Sequence, residues 1–174
     1  LVWITHVIAN IAGGSALSFA RFDQYMRPFY EKDLQAGRMS REQASELMAC
    51  VFLKVNEPKM RTVQSLCLGG VQPDGTDGAS DLTKCCIETI RSLRLPYPNV
   101  SVRIDNAVSP AWLLDEAVQT IQVGFGMPMI LNDRLWVPNL VKLGYPVETA
   151  RDYYNMGCVE IMIQGRQANW GGAG

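Results

Sequence analysis

The alternation of helical and extended patterns along these 174 residues points to an α/β protein built from parallel β/α units. Apolar residues recur at helical spacing after Ser40 and again after Pro110, whereas Val100-Ser101-Val102-Arg103-Ile104 alternates with period two. Turn-rich stretches such as Pro73-Asp74-Gly75-Thr76-Asp77-Gly78 separate these patterns. No internal repeat or low-complexity linker divides the chain, so residues 1–174 read as a single unit.

Residues 1–20 carry no formal charge and reach the length of a membrane span. Thr5, His6, Asn10, Ser15, Ser18 and the Gly13-Gly14 pair interrupt their apolar character, and a buried segment is expected instead. A helix over about residues 24–36 stops at Gly37. Ser40 is the expected N-cap of the next helix, with Gln43 completing a capping box and Leu47, Met48, Val51, Phe52 and Val55 forming its apolar face. A further helix is expected from about Asp81 to Leu93, ended by Pro96 and Pro98. Val100–Ile104 reads as a strand. Pro110 suits the first turn of a helix that carries Leu113, Leu114, Ala117, Val118 and Ile121 toward the core. Met127–Leu131 forms the next strand, Leu135–Leu143 a short helix, and Glu148–Asn155 another before the apolar run through Cys158.

Hydrophobic residues make up 48% of the chain, and at this length one core can bury roughly 70% of the unfolded surface. Sixteen basic against seventeen acidic residues leave a net charge of -1. No nucleic-acid or anionic-membrane footprint stands out, which leaves small molecules or other proteins as partners. Cys50, Cys67, Cys85, Cys86 and Cys158 are odd in number and lack the C-x-x-C spacing of zinc and dithiol sites. They read as reduced thiols of a cytoplasmic protein. The sequon Asn99-Val100-Ser101 would matter only after secretion, and no processable signal peptide is apparent.

The chemistry-bearing run is Tyr154-Asn155-Met156-Gly157-Cys158-Val159-Glu160-Ile161-Met162-Ile163. If it is extended, Cys158 and Glu160 face the same way, roughly 6.5 Å apart along the strand, and both can touch one small substrate. The Gly157-Cys158-Val159-Glu160 motif does not stand alone. Arg21-Phe22-Asp23-Gln24-Tyr25, Pro28-Phe29-Tyr30-Glu31-Lys32-Asp33-Leu34, Gly37-Arg38-Met39-Ser40-Arg41-Glu42-Gln43-Ala44, Leu68-Gly69-Gly70-Val71-Gln72-Pro73-Asp74-Gly75 and Asn132-Asp133 accompany it. Together these segments resemble the glycyl radical enzymes, the family related to pyruvate formate-lyase that includes many diol-dehydratase-like eliminases.

The resemblance implies an α/β fold that is part of a ten-stranded α/β barrel built from two half-barrels. It also implies a chemistry. A backbone glycyl radical on a C-terminal segment, installed by a radical SAM activating enzyme, takes the hydrogen atom of the Cys158 thiol, and the resulting thiyl takes one from substrate carbon. Glu160 acts as general base on the adjacent hydroxyl. Such a cysteine must keep its S–H, which burial and a neighbouring carboxylate both favour, whereas a nucleophile needs a thiolate. No second histidine or basic cluster beside Cys158 supports a Cys-His hydrolase.

The expected reaction is therefore a dehydratase-like C–O or other C–X elimination on a small molecule, by an enzyme that is a homodimer at full length. Alternatives inside the family are C–N or C–S cleavage, arylacetate decarboxylation, addition to fumarate and formate acetyltransferase activity. Outside catalysis, the chain would be a barrel-derived interaction module. The sequence starts at Leu1 and ends in Gly171-Gly172-Ala173-Gly174 without a glycyl radical motif of the Arg-Val-Ser-Gly-Tyr type. A catalytic fragment, inactive alone, is expected. Ala20 stands where the family commonly has glycine before Arg21.

Other candidates receive structural readings. Cys85-Cys86 sits in a helical pattern and reads as buried, although pyruvate formate-lyases proper carry a catalytic cysteine pair; here the family's cysteine loop aligns with Cys158, followed by Val159. His6 reads as a satisfied, partly buried residue rather than a ligand or base. Arg103 could orient a substrate anion, with a structural ion pair preferred. Asn132-Asp133 follows a strand, where α/β folds place functional loops, and helix N-capping by Asp133 explains it equally. Trp3, Trp112, Trp136 and Trp170 read as packing residues. Gly124-Phe125-Gly126 begins like a dinucleotide fingerprint, but Met129 occupies the third-glycine position, so a backbone turn is expected.

Overall fold

The computed structural model describes residues 2–11, 16–57 and 63–166. In chain order the elements are α1 (Val2–Ile11), β1 (Ala16–Arg21), α2 (Phe22–Gln35), α3 (Arg41–Val55), β2 (Val63–Gly69), α4 (Asp81–Leu93), β3 (Asn99–Ile104), α5 (Ala111–Gln122), β4 (Met129–Asn132), α6 (Asp133–Lys142), α7 (Val147–Ala150), β5 (Tyr153–Met156) and β6 (Glu160–Ile163). Trp170 and the terminal glycines lie outside the described residues.

β1, β2, β3 and β4 form one parallel sheet in that order, and β5 pairs antiparallel with β6 in a separate hairpin. The sheet's outer face buries Leu66, Leu68, Val100 and Val102 against Phe22, Phe52, Leu82, Ile87, Leu113 and Ala117 of α2–α5. Its other face is covered by the hairpin. There Cys67 meets Tyr154, Met156 and Met162, and Leu131 meets Tyr153 and Ile163.

Local signals account for most of the helices. Ser40 accepts the Gln43 N–H at 3.2 Å and Gln43 accepts the Ser40 N–H at 2.8 Å, so the expected capping box starts α3. The face turned inward is Ala44, Met48, Phe52 and Val55. Leu47, expected there, is 54% exposed because it lies on the flank of this stripe. In α5 the inward stripe is Leu113, Glu116, Ala117 and Thr120, while Leu114, Val118 and Ile121 face out, contrary to expectation. Glu116 holds that position because Lys84 and Arg91 of α4 pair with it at 3.2 and 2.8 Å. Gly124 and Gly126 lie in the turn between α5 and β4, as expected.

Two expectations are corrected, and two strands were missed. The opening segment is not simply buried: α1 exposes Ile4, Ile8 and Ile11, and among the described residues of this region His6 and Phe19 are in the interior. Among the described residues no helix is long and apolar enough to cross a membrane. β1 and β2 were not legible: β2 is buried on both faces and lacks the period-two alternation of a half-buried strand, and β1 lies inside the uncharged opening stretch. Finally, the helix expected over Glu148–Asn155 ends at Ala150, and Tyr153–Met156 is a strand, buried at every position. Tertiary hydrogen bonds from the sheet, described below, override the local helical pattern there.

Ala20 resolves the departure noted at Arg21. Its φ is +49°, a left-handed conformation that glycine adopts without strain, and the β1–β2 register shifts between Ser18 and Arg21. Ser18 Oγ accepts the Ala20 N–H at 3.0 Å across this bulge. The bulge turns Arg21 inward, where its guanidinium donates to Gly69 O at 3.2 Å and pairs with Asp152 at 3.0 Å.

Candidate active site

Cys158 sits in the Gly157-Cys158-Val159 turn that joins β5 to β6, and it is exposed. The continuous extended run expected through this region is therefore interrupted, and strand alternation does not set the relation of Cys158 to Glu160. A turn forms because Gly157 adopts φ +61°. Glu160, half-buried at the start of β6, folds back over that turn. Its Oε2 accepts the Val159 N–H at 3.1 Å and would lie 2.6 Å from a Cβ at position 157, so a side chain there would displace the carboxylate. Among the described residues, no ion pair engages Glu160, and no hydrogen bond or ion pair engages Cys158.

The hairpin is fixed to the sheet at two levels. At its base, Arg103 Nη1 donates to Tyr153 O at 2.7 Å and Nη2 to Arg151 O at 2.9 Å. The same guanidinium grips Asp133 through Nε–Oδ1 at 2.9 Å and Nη2–Oδ2 at 2.8 Å, with both side chains wholly buried. Asp133 further accepts the Tyr153 O–H at 2.7 Å and the Val71 N–H at 2.7 Å. Burial alone would lower the Arg103 pKa, but the Asp133 carboxylate beside it raises it above the ordinary range. Burial likewise pushes the Tyr153 phenol up. Arg103 crosses so close to the backbone that a Cβ on Gly70 would lie 2.6 Å from its Nε, which explains the glycine there.

Nearer the turn, Asn155 is held by hydroxyls from three adjacent strands. Its carbonyl accepts Ser18 Oγ at 2.9 Å and Ser65 Oγ at 3.1 Å, and its side-chain Oδ1 accepts Ser101 Oγ.

Arg103 thus belongs to a structural ion pair, as preferred, and does not face solvent. Asp133 is not the N-cap of α6; Asn132 is, its Oδ1 accepting the Arg134 N–H at 3.0 Å, while Asp133 turns inward to Arg103. Cys85 and Cys86 are fully buried in α4 on the helix-covered face, and Cys85 touches Ser45. His6 is buried, its ring centroid 5.3 Å from those of Trp3 and Phe19, and burial lowers its pKa. The serine set and the Arg103–Asp133–Tyr153 cluster escaped the sequence reading. Their one signal was polar residues, Ser101 and Arg103, on alternate positions of a strand whose other positions are Val100, Val102 and Ile104.

A parallel sheet with helices outside and a cysteine-tipped hairpin across its inner face describes one wall of an α/β-barrel enzyme. The chain belongs to the pyruvate formate lyase-like family, whose family model matches residues 1–174. It is 32% identical to the isethionate sulfite-lyase of Desulfovibrio desulfuricans over 94% of this chain and 22% of that protein. Among solved structures, the glycerol-bound B12-independent glycerol dehydratase from Clostridium butyricum superimposes with a TM-score of 0.88 and 34% identity, covering 97% of this chain and 23% of that one. A glycyl radical enzyme from Archaeoglobus fulgidus gives 0.85 and 28%, covering 94% and 23%. The chain spans less than a quarter of the length of these relatives. Its sheet is accordingly part of the barrel that the glycyl radical enzymes share.

Proposed function

We propose that this chain is the cysteine-loop portion of a cytoplasmic glycyl radical lyase that eliminates a leaving group from a small hydroxylated substrate. The observation that carries the reading is Cys158 in the turn of the hairpin that covers the sheet's inner face, with the Glu160 carboxylate folded over the same turn. The turn places the sulfur and the carboxylate on one short loop, where a single small molecule can meet both. The related proteins named as a sulfite-lyase and a glycerol dehydratase support elimination over addition or decarboxylation.

A glycyl radical elsewhere in the polypeptide, installed by a radical SAM activating enzyme, would supply the acceptor for the Cys158 hydrogen atom. Cys158, now a thiyl, takes a hydrogen atom from the substrate carbon bearing the hydroxyl. Glu160 accepts the proton of that hydroxyl while the leaving group departs from the neighbouring carbon with its electron pair. The S–H of Cys158 then returns a hydrogen atom to the carbon radical, giving a carbonyl product. Full burial of Cys85 and Cys86 behind the sheet, and Val159 in place of a second cysteine, disfavour formate acetyltransferase chemistry.

The test is to activate the full-length dimer anaerobically and offer short 1,2-diols and 2-hydroxyalkyl sulfonates. Release of a carbonyl product together with water or sulfite supports the reading. Turnover only with arylacetates, or only with fumarate and a hydrocarbon, contradicts it.

A further inference from the structure

The three serines around Asn155 have no place in the chemistry just described, yet they make the last side-chain hydrogen bonds to the sheet before the turn. We infer that Ser18, Ser65 and Ser101, acting through Asn155, are positioning residues that set the location of the Cys158 sulfur. The inference rests on the assignment of Cys158 as the hydrogen-atom relay.

The geometry is specific. Ser18 and Ser65 are register partners on β1 and β2, and both hydroxyls converge on the Asn155 carbonyl at 2.9 and 3.1 Å. Ser101, on β3, bonds the side-chain oxygen of the same residue. Ser65, Ser101 and Asn155 are almost wholly buried, so none of these bonds can be exchanged for water without opening the sheet. Asn155 lies three residues before Cys158, and between them stand only Met156, packed on Cys67, and Gly157. A four-residue strand paired to another four-residue strand has few ladder bonds of its own to fix where its turn falls. Three hydroxyls from three strands fix one residue in three directions.

Hydrogen-atom transfer needs donor and acceptor close to contact, and a displacement of about 1 Å can cost on the order of 10²-fold in rate. The serines are therefore expected to act more on hydrogen transfer at Cys158, a step made near contact distance, than on substrate binding, which tolerates small displacements of the turn. On β1 and β2 the hydroxyls alternate with small residues, Ala16, Ala20 and Cys67, that pack against the same hairpin.

The experiment uses the full-length activated enzyme with Ser65→Ala plus Ser101→Ala, and Ser101→Thr as the hydroxyl-retaining control. Four quantities are read: glycyl radical spins per protomer by EPR, kcat, KM, and the rate at which the α-hydrogen splitting of the radical is lost in D2O through exchange with the thiol. The expected result is a fall in kcat and in exchange of about 10- to 100-fold, with spins and KM within about twofold and the threonine variant near normal. Unchanged kcat and exchange would overturn the inference. So would a parallel loss of spins, KM and melting temperature, which is the mark of general destabilisation. Ser18→Ala, at the half-exposed end of the set, serves if the double variant does not fold, with the same criteria. Cys158→Ser separates the two readings: exchange that persists without the thiol defeats the relay assignment itself, whereas normal exchange in the serine variants defeats only their positioning role.

Discussion

Arg103 and Asp133 meet in a two-point ion pair with both side chains at 0% exposure, and the same guanidinium holds the Tyr153 carbonyl at the base of the cysteine hairpin. The pair therefore does more than neutralise buried charge. It ties β3 and the start of α6 to the strand that leads to Cys158.

Removing one partner leaves the other charge buried and uncompensated, which costs about 3–5 kcal/mol. Asp133→Asn also weakens the contacts to the Tyr153 hydroxyl and the Val71 N–H. The full-length protein carrying it should lose stability of that order in urea melts. A loss under about 1 kcal/mol would mean that the cluster relaxes around the change.

Ala20→Gly should stabilise, the reverse of the ordinary effect of this substitution in a strand. Alanine at φ +49° carries about 1–2 kcal/mol of strain, against about 0.4–1 kcal/mol of extra chain entropy that glycine brings to the unfolded state. A gain of up to about 1 kcal/mol is expected in a melting experiment. A clear loss would show that Ala20 contributes packing against the hairpin that outweighs its backbone strain.

How much was legible in the sequence follows from where each signal resides. The Ser40–Gln43 capping box and the Gly37 stop are local chemistry, and they were readable at the right residues. The strand β3 was readable because Pro96 and Pro98 mark its start and its apolar residues alternate. β5 was not, since what makes Tyr153–Met156 extended is Arg103, Ser18, Ser65 and Ser101, distant in sequence by 50 or more residues. The turn at Cys158 was misjudged for a related reason. An apolar, β-prone run reads as one strand, although Gly157 at φ +61° breaks it where the chain turns back to pair β5 with β6.

Cys85 and Cys86 provide a control on the choice of cysteine. Replacing both by Ala removes two buried sulfurs from α4 and should lower stability by up to a few kcal/mol without removing the chemical step. A folded, radical-bearing double variant with no turnover would transfer the chemistry to that pair.

Glu160→Gln keeps the side-chain shape and an oxygen able to accept the Val159 N–H, but removes the base. Loss of general-base catalysis should cost about 10²- to 10⁴-fold in turnover. Deuterium exchange between labelled substrate and the Cys158 thiol should survive. Near-normal turnover with Gln would leave Glu160 a positioning group and shift weight toward chemistry without elimination.

The most direct test is Cys158→Ser in the full-length enzyme after treatment with the activating enzyme, followed by EPR and turnover on one sample. Serine fits the exposed turn, but its O–H bond is too strong to hand a hydrogen atom to a glycyl radical. The glycyl signal should form at the wild-type level while product formation falls to background. A variant that carries the radical and still turns over substrate would contradict the role assigned to Cys158.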